Sequence, residues 1–161
     1  MQLTPFTQKD FDNLYDFMYP LWHETYGNII PKEQIDFLLD KYFSKSGLAY
    51  YRAEGYQYRN IDDIGVVVYV DRGDHTYMDK LYLLPCARGK NYPAFVFDYL
   101  LSLGKDVVLS VNQKNERAYR CYLKNGFVVE KEQILHFSAT MVNRDFILRK
   151  KYVQREPAPS H

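Results

Sequence analysis

Residues 81–95 read Leu-Tyr-Leu-Leu-Pro-Cys-Ala-Arg-Gly-Lys-Asn-Tyr-Pro-Ala-Phe and pass through three backbone habits in turn. Tyr77 to Leu84 is an extended run that Pro85 stops, because proline has no N–H to give to a strand ladder. Cys86 to Tyr92 is a loop holding Arg88, Gly89, Lys90 and Asn91. Tyr92, Phe95, Val96, Tyr99, Leu100 and Leu103 then recur at helical spacing and mark a buried face, with Gly104 as the closing cap. Asp106 to Val111 (DVVLSV) is extended again, so strand, helix and strand form a parallel crossover unit. A loop that leads from a strand into a helix offers several backbone N–H groups and the positive end of a helix dipole. That combination suits a phosphate or diphosphate.

Upstream, Ile64 to Val70 (IGVVVYV) is rich in β-branched residues and ends at Asp71-Arg72-Gly73-Asp74. This turn folds the chain back into Tyr77 to Leu84 as an antiparallel hairpin. Thr7 with Asp10 is a capping-box variant, followed by Phe11, Leu14, Tyr15, Met18 and Trp22 on one helical stripe. Pro20 is expected to end or kink that helix. Tyr26 to Ile30 reads as a loop, and Pro31 as the first residue of a second helix with Ile35, Leu38, Leu39 and Tyr42 on one face. Lys45 to Ala53 carries the mixed signal of a short helix that gives way to extended chain near Tyr56. Downstream, Asn115 is a good N-cap for a helix ending at Asn125-Gly126. Phe127 to Leu135 and Thr140 to Lys151 read as two final strands. The order defines an α+β chain with a mixed sheet.

The 161 residues fit one domain, read over residues 1–155, with EPAPSH at 156–161 as a frayed tail. A composition of 47% hydrophobic and 25% charged residues is that of a globular protein, neither fibrous nor disordered. Twenty-one Lys plus Arg against twenty Asp plus Glu leave no basic field for a nucleic acid. Sixteen Tyr and ten Phe suggest wide amphipathic surfaces in the core and around a pocket. Cys86 and Cys121 form no CxxC or Cys/His cluster, which points away from a disulfide framework and a zinc site. The N-terminus has no basic segment, and no apolar run nears the roughly 18 residues a bilayer requires. A cytoplasmic protein without membrane attachment is expected.

Leu81-Tyr82-Leu83-Leu84-Pro85 followed by Arg88-Gly89-Lys90 resembles the pyrophosphate loop of the GNAT (GCN5-related) N-acetyltransferase family. There Arg/Gln-x-x-Gly-x-Gly/Ala follows a strand with a similar ending. Downstream, Asn115, Ala118, Cys121-Tyr122 and Gly126-Phe127 match the family's Asn-x-x-Ala-x-x-Phe-Tyr and Gly-Phe pattern. The two motifs extend from about Tyr77 to Glu130, a third of the chain. The loop departs from the pattern at its two glycine positions, which hold Asn91 and Pro93. Asparagine enters left-handed conformations more readily than most residues. Pro93 lacks an N–H, so one donor to the ligand is missing, although proline suits the first turn of a helix.

The resemblance implies a mostly antiparallel central sheet flanked by helices on both faces, of the acyl-CoA N-acyltransferase-like kind. It also implies acetyl-CoA as acetyl donor. Leu83 and Leu84 would hold the pantetheine arm with main-chain groups, beside a splay between two parallel strands. Gly89, Lys90 and Asn91 would offer N–H groups to the diphosphate, Arg88 a charge, and Asn115 a contact to the pantetheine. Tyr122 is the candidate general acid, passing a proton to the coenzyme A thiolate at modest cost. Ala118, Tyr119, Tyr122 and Leu123 also fall on one helical stripe, which is compatible with a core tyrosine. Cys121 is read as packing.

No motif fixes the base. Asp79, on the strand leading to the site, and Glu24, after a helix that could border the pocket, are the candidates, with a water chain as alternative. His23 is the best placed histidine for a pocket, while His75, His136 and His161 lie in a turn, between the last strands and in the tail. Arg117, Arg120 and Lys124 form a basic stripe, either a solvated helix face or an attraction for coenzyme phosphates. Arg149, Lys150 and Lys151 would guard a terminal strand against pairing. The expected activity is transfer of an acetyl group to a primary amine of a small molecule or peptide, which leaves a homodimer open. The alternative is a catalytically silent acyl-CoA-binding sensor or interaction module of the same fold.

Overall fold

A computed structural model describes residues 1–154, so the tail expected to be frayed lies outside the described residues. The chain runs β1 (Leu3–Pro5), α1 (Gln8–Tyr26), α2 (Lys32–Phe43), α3 (Lys45–Ala53), β2 (Gln57–Ile61), β3 (Gly65–Asp71) and β4 (His75–Leu83). It continues through α4 (Tyr92–Leu101), β5 (Asp106–Asn112), α5 (Glu116–Lys124), β6 (Val128–His136) and β7 (Val142–Lys150). The seven strands form one sheet in the order β1-β2-β3-β4-β5-β7-β6. Every neighbouring pair is antiparallel except β4 and β5, the predicted crossover around α4.

β3 is apolar on both sides because both faces of the sheet are covered. Val67 and Tyr69 pack with Val96, Phe97 and Leu100 of α4. Val66 and Val68 pack beneath Leu14, Met18, Leu38 and Leu39 of α1 and α2. Helices thus lie on both faces of a mixed, mostly antiparallel sheet, as expected.

Thr7 forms the predicted capping box with Asp10 and starts α1. Pro20 neither ends nor kinks the element out of existence: α1 continues to Tyr26 with Pro20 inside it and exposed. A proline within a helix costs about 3 kcal/mol. Burying Leu21 and Trp22 on the opposite side returns about 1.5–3 kcal/mol each, enough to carry the helix past it. Pro31 caps α2 rather than opening it. α4 ends at Leu101, earlier than expected, and Leu103 is exposed instead of packed. β2 is the extended chain expected near Tyr56, whereas the short strand β1 has no counterpart in the sequence reading. Arg149 and Lys150 do not guard an edge either, since β7 lies between β5 and β6. Arg149 is instead clamped by Asp106 at 3.0 Å and Glu130 at 2.5 Å.

The parallel pair is short. β4 and β5 are in register only from His75↔Asp106 to Met78↔Leu109. Beyond it β4 stays with β3, while Ser110 to Asn112 stay with β7, so the two strands part. The β3–β4 register shifts between Val68 and Tyr69, which leaves Asp79 as the extra residue of a bulge where the parting begins.

Candidate active site

A cleft of about 600 Å³ occupies the opening between β4 and β5 and is bordered by α1, α2, α4, α5 and the β6–β7 end. Its two ends differ in chemistry.

At the α4 end the loop is built for an anion. Gly89 and Asn91 both adopt left-handed backbone, at φ 79° and 62°, so the expectation for Asn91 holds. A Cβ at Gly89 would meet nothing within 4 Å. The amides of Gly89, Lys90, Asn91, Tyr92 and Ala94 meet no acceptor among the described residues; the first helical bond runs from the Phe95 N–H to the Asn91 carbonyl. Pro93 is the second residue of α4 and lacks the donor its neighbours have. Arg88, Gly89, Asn91 and Pro93 line the cleft, whereas the Lys90 side chain is exposed outside it. Arg117, Arg120 and Lys124 of α5 are exposed to solvent and also border the same cleft.

The main chain of β4 resolves which residues face the parting. The Leu84 N–H bonds the Ile64 carbonyl at 2.8 Å, and its own carbonyl accepts from the Ala87 N–H at 2.9 Å. Leu84 therefore has no main-chain group to spare, contrary to expectation. Residues of an antiparallel pair face their partner alternately. Leu83 and Leu81 consequently turn their N–H and C=O groups away from β3, toward the side that β5 has left. Leu81 was missed in the sequence, where the phase of the hairpin cannot be read.

Across the cleft, Asn115 caps α5 through its side-chain oxygen, which accepts from the Ala118 N–H at 3.4 Å, so its amide N–H₂ is the part left for a ligand. Tyr122 lines the cleft while packing edge-on against Phe97 and Phe127, at 5.9 and 5.8 Å between ring centroids. Burial pushes its phenol well above the ordinary tyrosine range. Full proton transfer to a thiolate is thus costlier than the sequence suggested, and the group is a protonated hydrogen-bond donor at any working pH. Burial also raises the Cys121 thiol, the opposite of what a nucleophile needs.

The proposed bases separate. Glu24 is bonded to Arg88 at 2.6 Å, and that bond lowers its carboxyl, making it a weaker base. Asp79 lines the cleft, bonded to the buried ammonium of Lys80. His23 does not face the cleft: its Nε2 bonds Asp36 of α2 at 2.9 Å and its ring lies tilted against Tyr19. His75 opens β4 beside Asp74, His136 ends β6, and His161 lies outside the described residues.

One carboxylate was not foreseen. Asp145 on β7 lines the cleft at 7% exposure, and burial raises its carboxyl to about 6. Nearby are the Tyr26 and Tyr82 hydroxyls, which share a 2.7 Å hydrogen bond, and Tyr77, bonded to Ser110 at 2.8 Å.

A mixed sheet opened between two parallel strands, with free amides at the helix start beyond the opening, defines an acyl-CoA N-acyltransferase-like fold. No family model matches the chain. An uncharacterised N-acetyltransferase of Mycobacterium tuberculosis is 35% identical over 89 residues, covering 51% of this chain and 56% of that protein. The chain thus spans about half the length of the curated relatives it matches. The PaiA N-acetyltransferase of Thermoplasma acidophilum, solved in complex with coenzyme A, is 22% identical with a TM-score of 0.71, covering 94% of this chain and 98% of its own. A GCN5-related N-acetyltransferase of Rhodopseudomonas palustris is 13% identical with a TM-score of 0.72, covering 93% and 94%. The fold is that of the GNAT N-acetyltransferases, as the two sequence motifs implied.

Proposed function

We propose that the chain transfers an acetyl group from acetyl-CoA to a primary amine by direct attack, both substrates being bound in the one cleft. The observation that carries this reading is the row of unaccepted amides at Gly89, Lys90, Asn91, Tyr92 and Ala94, beside a strand opening that Leu81 and Leu83 face with main-chain groups. Helix α4 adds its dipole to those amides for a diphosphate, and Arg88 adds a charge when it exchanges Glu24 for the phosphate. The main chain of Leu83, together with the Asn115 amide, holds the pantetheine arm so that the thioester lies at the parting of β4 and β5. Acetyl-CoA supplies an activated carbonyl there. Tyr122 donates a hydrogen bond to the sulfur as the C–S bond breaks and charge develops on it.

Release of free thiol from acetyl-CoA in the presence of primary amines tests this. Tyr122→Phe is expected to lower kcat by about 10- to 100-fold, the worth of one hydrogen bond to a developing charge, while calorimetric affinity for acetyl-CoA stays within about twofold. Acetyl-CoA binding without amine-dependent release would leave a silent acyl-CoA-binding module of the same fold. Absence of binding would overturn both readings.

A further inference from the structure

The side of the cleft under α1 and α2 holds three charged groups, and two of them cancel. Asp79 is bonded to Lys80, whose ammonium also lies 3.8 Å from the centroid of the Tyr42 ring, with Phe43 and Tyr51 at 5.6 and 5.7 Å. Asp145 is the third, and no hydrogen bond or ion pair reaches its carboxylate among the described residues; burial alone acts on it. The strand sets its direction. Asn143, two residues earlier, bonds Gln34 of α2 at 2.5 Å, while Phe146 and Leu148 pack with the α4 side. Side chains alternate along a strand, so Asp145 projects with Asn143 toward α1 and α2.

Charged and titratable groups line the cleft from several elements. α1 presents Tyr26 and α2 Tyr42; β4 presents Tyr77, Tyr82 and the Asp79–Lys80 pair; α5 presents Cys121 and Tyr122, with Arg117, Arg120 and Lys124 bordering the same cleft. The register neighbours on β5 and β6 are Asn112 and Gln133, both uncharged. The carboxylates of Asp145 and Asp79 act together on the Tyr26 and Tyr77 phenols, adding to the rise that burial causes.

We infer that Asp145 meets the acceptor, holding its ammonium and taking its proton, and that the acceptor is a primary monoamine on an apolar or aromatic body. This rests on the acetyl-transfer reading above. The body of the acceptor is set by the walls, which are Trp22, Tyr26, Leu38, Tyr42, Tyr82 and Phe137. Its charge is set by what is left unpaired. A second ammonium, as in a polyamine, finds only Asp79, already bonded to Lys80. Under α1 and α2 a carboxylate, as in an amino acid, meets Lys80, already bonded to Asp79, and is repelled by Asp145; the other cations of the cleft, Arg88, Arg117, Arg120 and Lys124, stand before α4 and on α5. In the reaction, Asp145 removes the ammonium proton and the freed amine forms a C–N bond with the thioester carbonyl. The C–S bond breaks with its electron pair on sulfur, the nitrogen gives up a second proton that reaches the thiolate through water, and Asp145 returns its own to solvent. A carboxyl raised toward neutrality is a better base for this than an ordinary one.

The test compares thiol release for phenethylamine, phenylalanine and spermidine, together with calorimetric binding of acetyl-CoA. Phenylalanine has the same body with a carboxylate added, and spermidine adds further ammonium groups. kcat/KM for phenethylamine is expected to exceed that for phenylalanine by about 100-fold and that for spermidine by about 10-fold. For the wild type, kcat/KM should fall tenfold per pH unit below about pH 6, and Asp145→Asn should lower it by about 100-fold with acetyl-CoA affinity unchanged. The acceptor ranking and the acid limb need no variant. Preference for spermidine or phenylalanine, or undiminished turnover by the variant, overturns the inference while acetyl transfer stands. Failure to bind acetyl-CoA overturns both.

Discussion

Replacing Asp145 by asparagine removes a charge and almost no volume, so the cost of burying that charge can be measured directly. Burial raises the carboxyl from 3.8 to about 6. The folded chain therefore holds this proton more tightly than the unfolded chain does. Its contribution to stability is greatest below 3.8, declines as pH rises toward about 6, and is level above that. Each pH unit of the gap is worth about 1.4 kcal/mol, so the ionised carboxylate costs the native state about 3 kcal/mol in all. Asparagine has no such titration. Its own burial cost is the same at every pH and cancels when two pH values are compared. The stability of Asp145→Asn relative to wild type should therefore improve by about 2 kcal/mol between about pH 4.5 and about pH 7.5, most of it before pH 6.5. In a domain of this size that is a relative gain of roughly 4–8 °C in Tm. Urea melts of both proteins across this range provide the assay. A difference that does not change with pH, or that shifts against the variant toward neutrality, refutes the burial argument.

Pro93→Ala restores the missing amide in the first turn of α4 and is expected to tighten acetyl-CoA binding by roughly 10-fold in titration calorimetry; unchanged or weaker affinity contradicts a donor role for this turn. At Asn91, with φ 62°, glycine should be tolerated with no loss of stability in urea melts, whereas valine should cost about 1–2 kcal/mol. Equal stability of the two variants would mean that the loop relaxes out of its left-handed geometry.

The β3–β4 hairpin, the loop and the crossover were legible because their signals are local. A β-branched run, a stopping proline and a periodic helix each state their own habit. β1 has no such signal and β2 only the onset of extended chain near Tyr56: Leu3–Pro5 is three residues long and Gln57–Ile61 is largely polar, so pairing of β2 with β3, and of β1 with β2, makes them strands. At Pro20 the local rule was overruled by packing of Leu21 and Trp22. Tyr122, Asn115, Arg88, Gly89 and Asn91 were found through their motifs, and all line the cleft. Leu84 fits the motif while Leu81 faces the opening, because one step of register reverses the direction of every main-chain group. In the sequence Asp145 carries no signal, since Arg144-Asp145-Phe146 reads as an outer strand turning its polar residues to water. β7 is an inner strand covered on both faces, and on such a strand a lone carboxylate is conspicuous.

Helix α5 has no fully buried residue, and Asn115, Ala118, Cys121 and Tyr122 turn toward the cleft. Nine residues are too few to sustain a helix in water unaided. Its persistence depends on a half-covered flank and on its two end caps, which leaves it open to local unfolding. A guest in the cleft would furnish the missing neighbours, acting as a removable piece of the interior. Amide exchange along Glu116–Lys124 should then slow in step with saturation, reporting occupancy without any turnover.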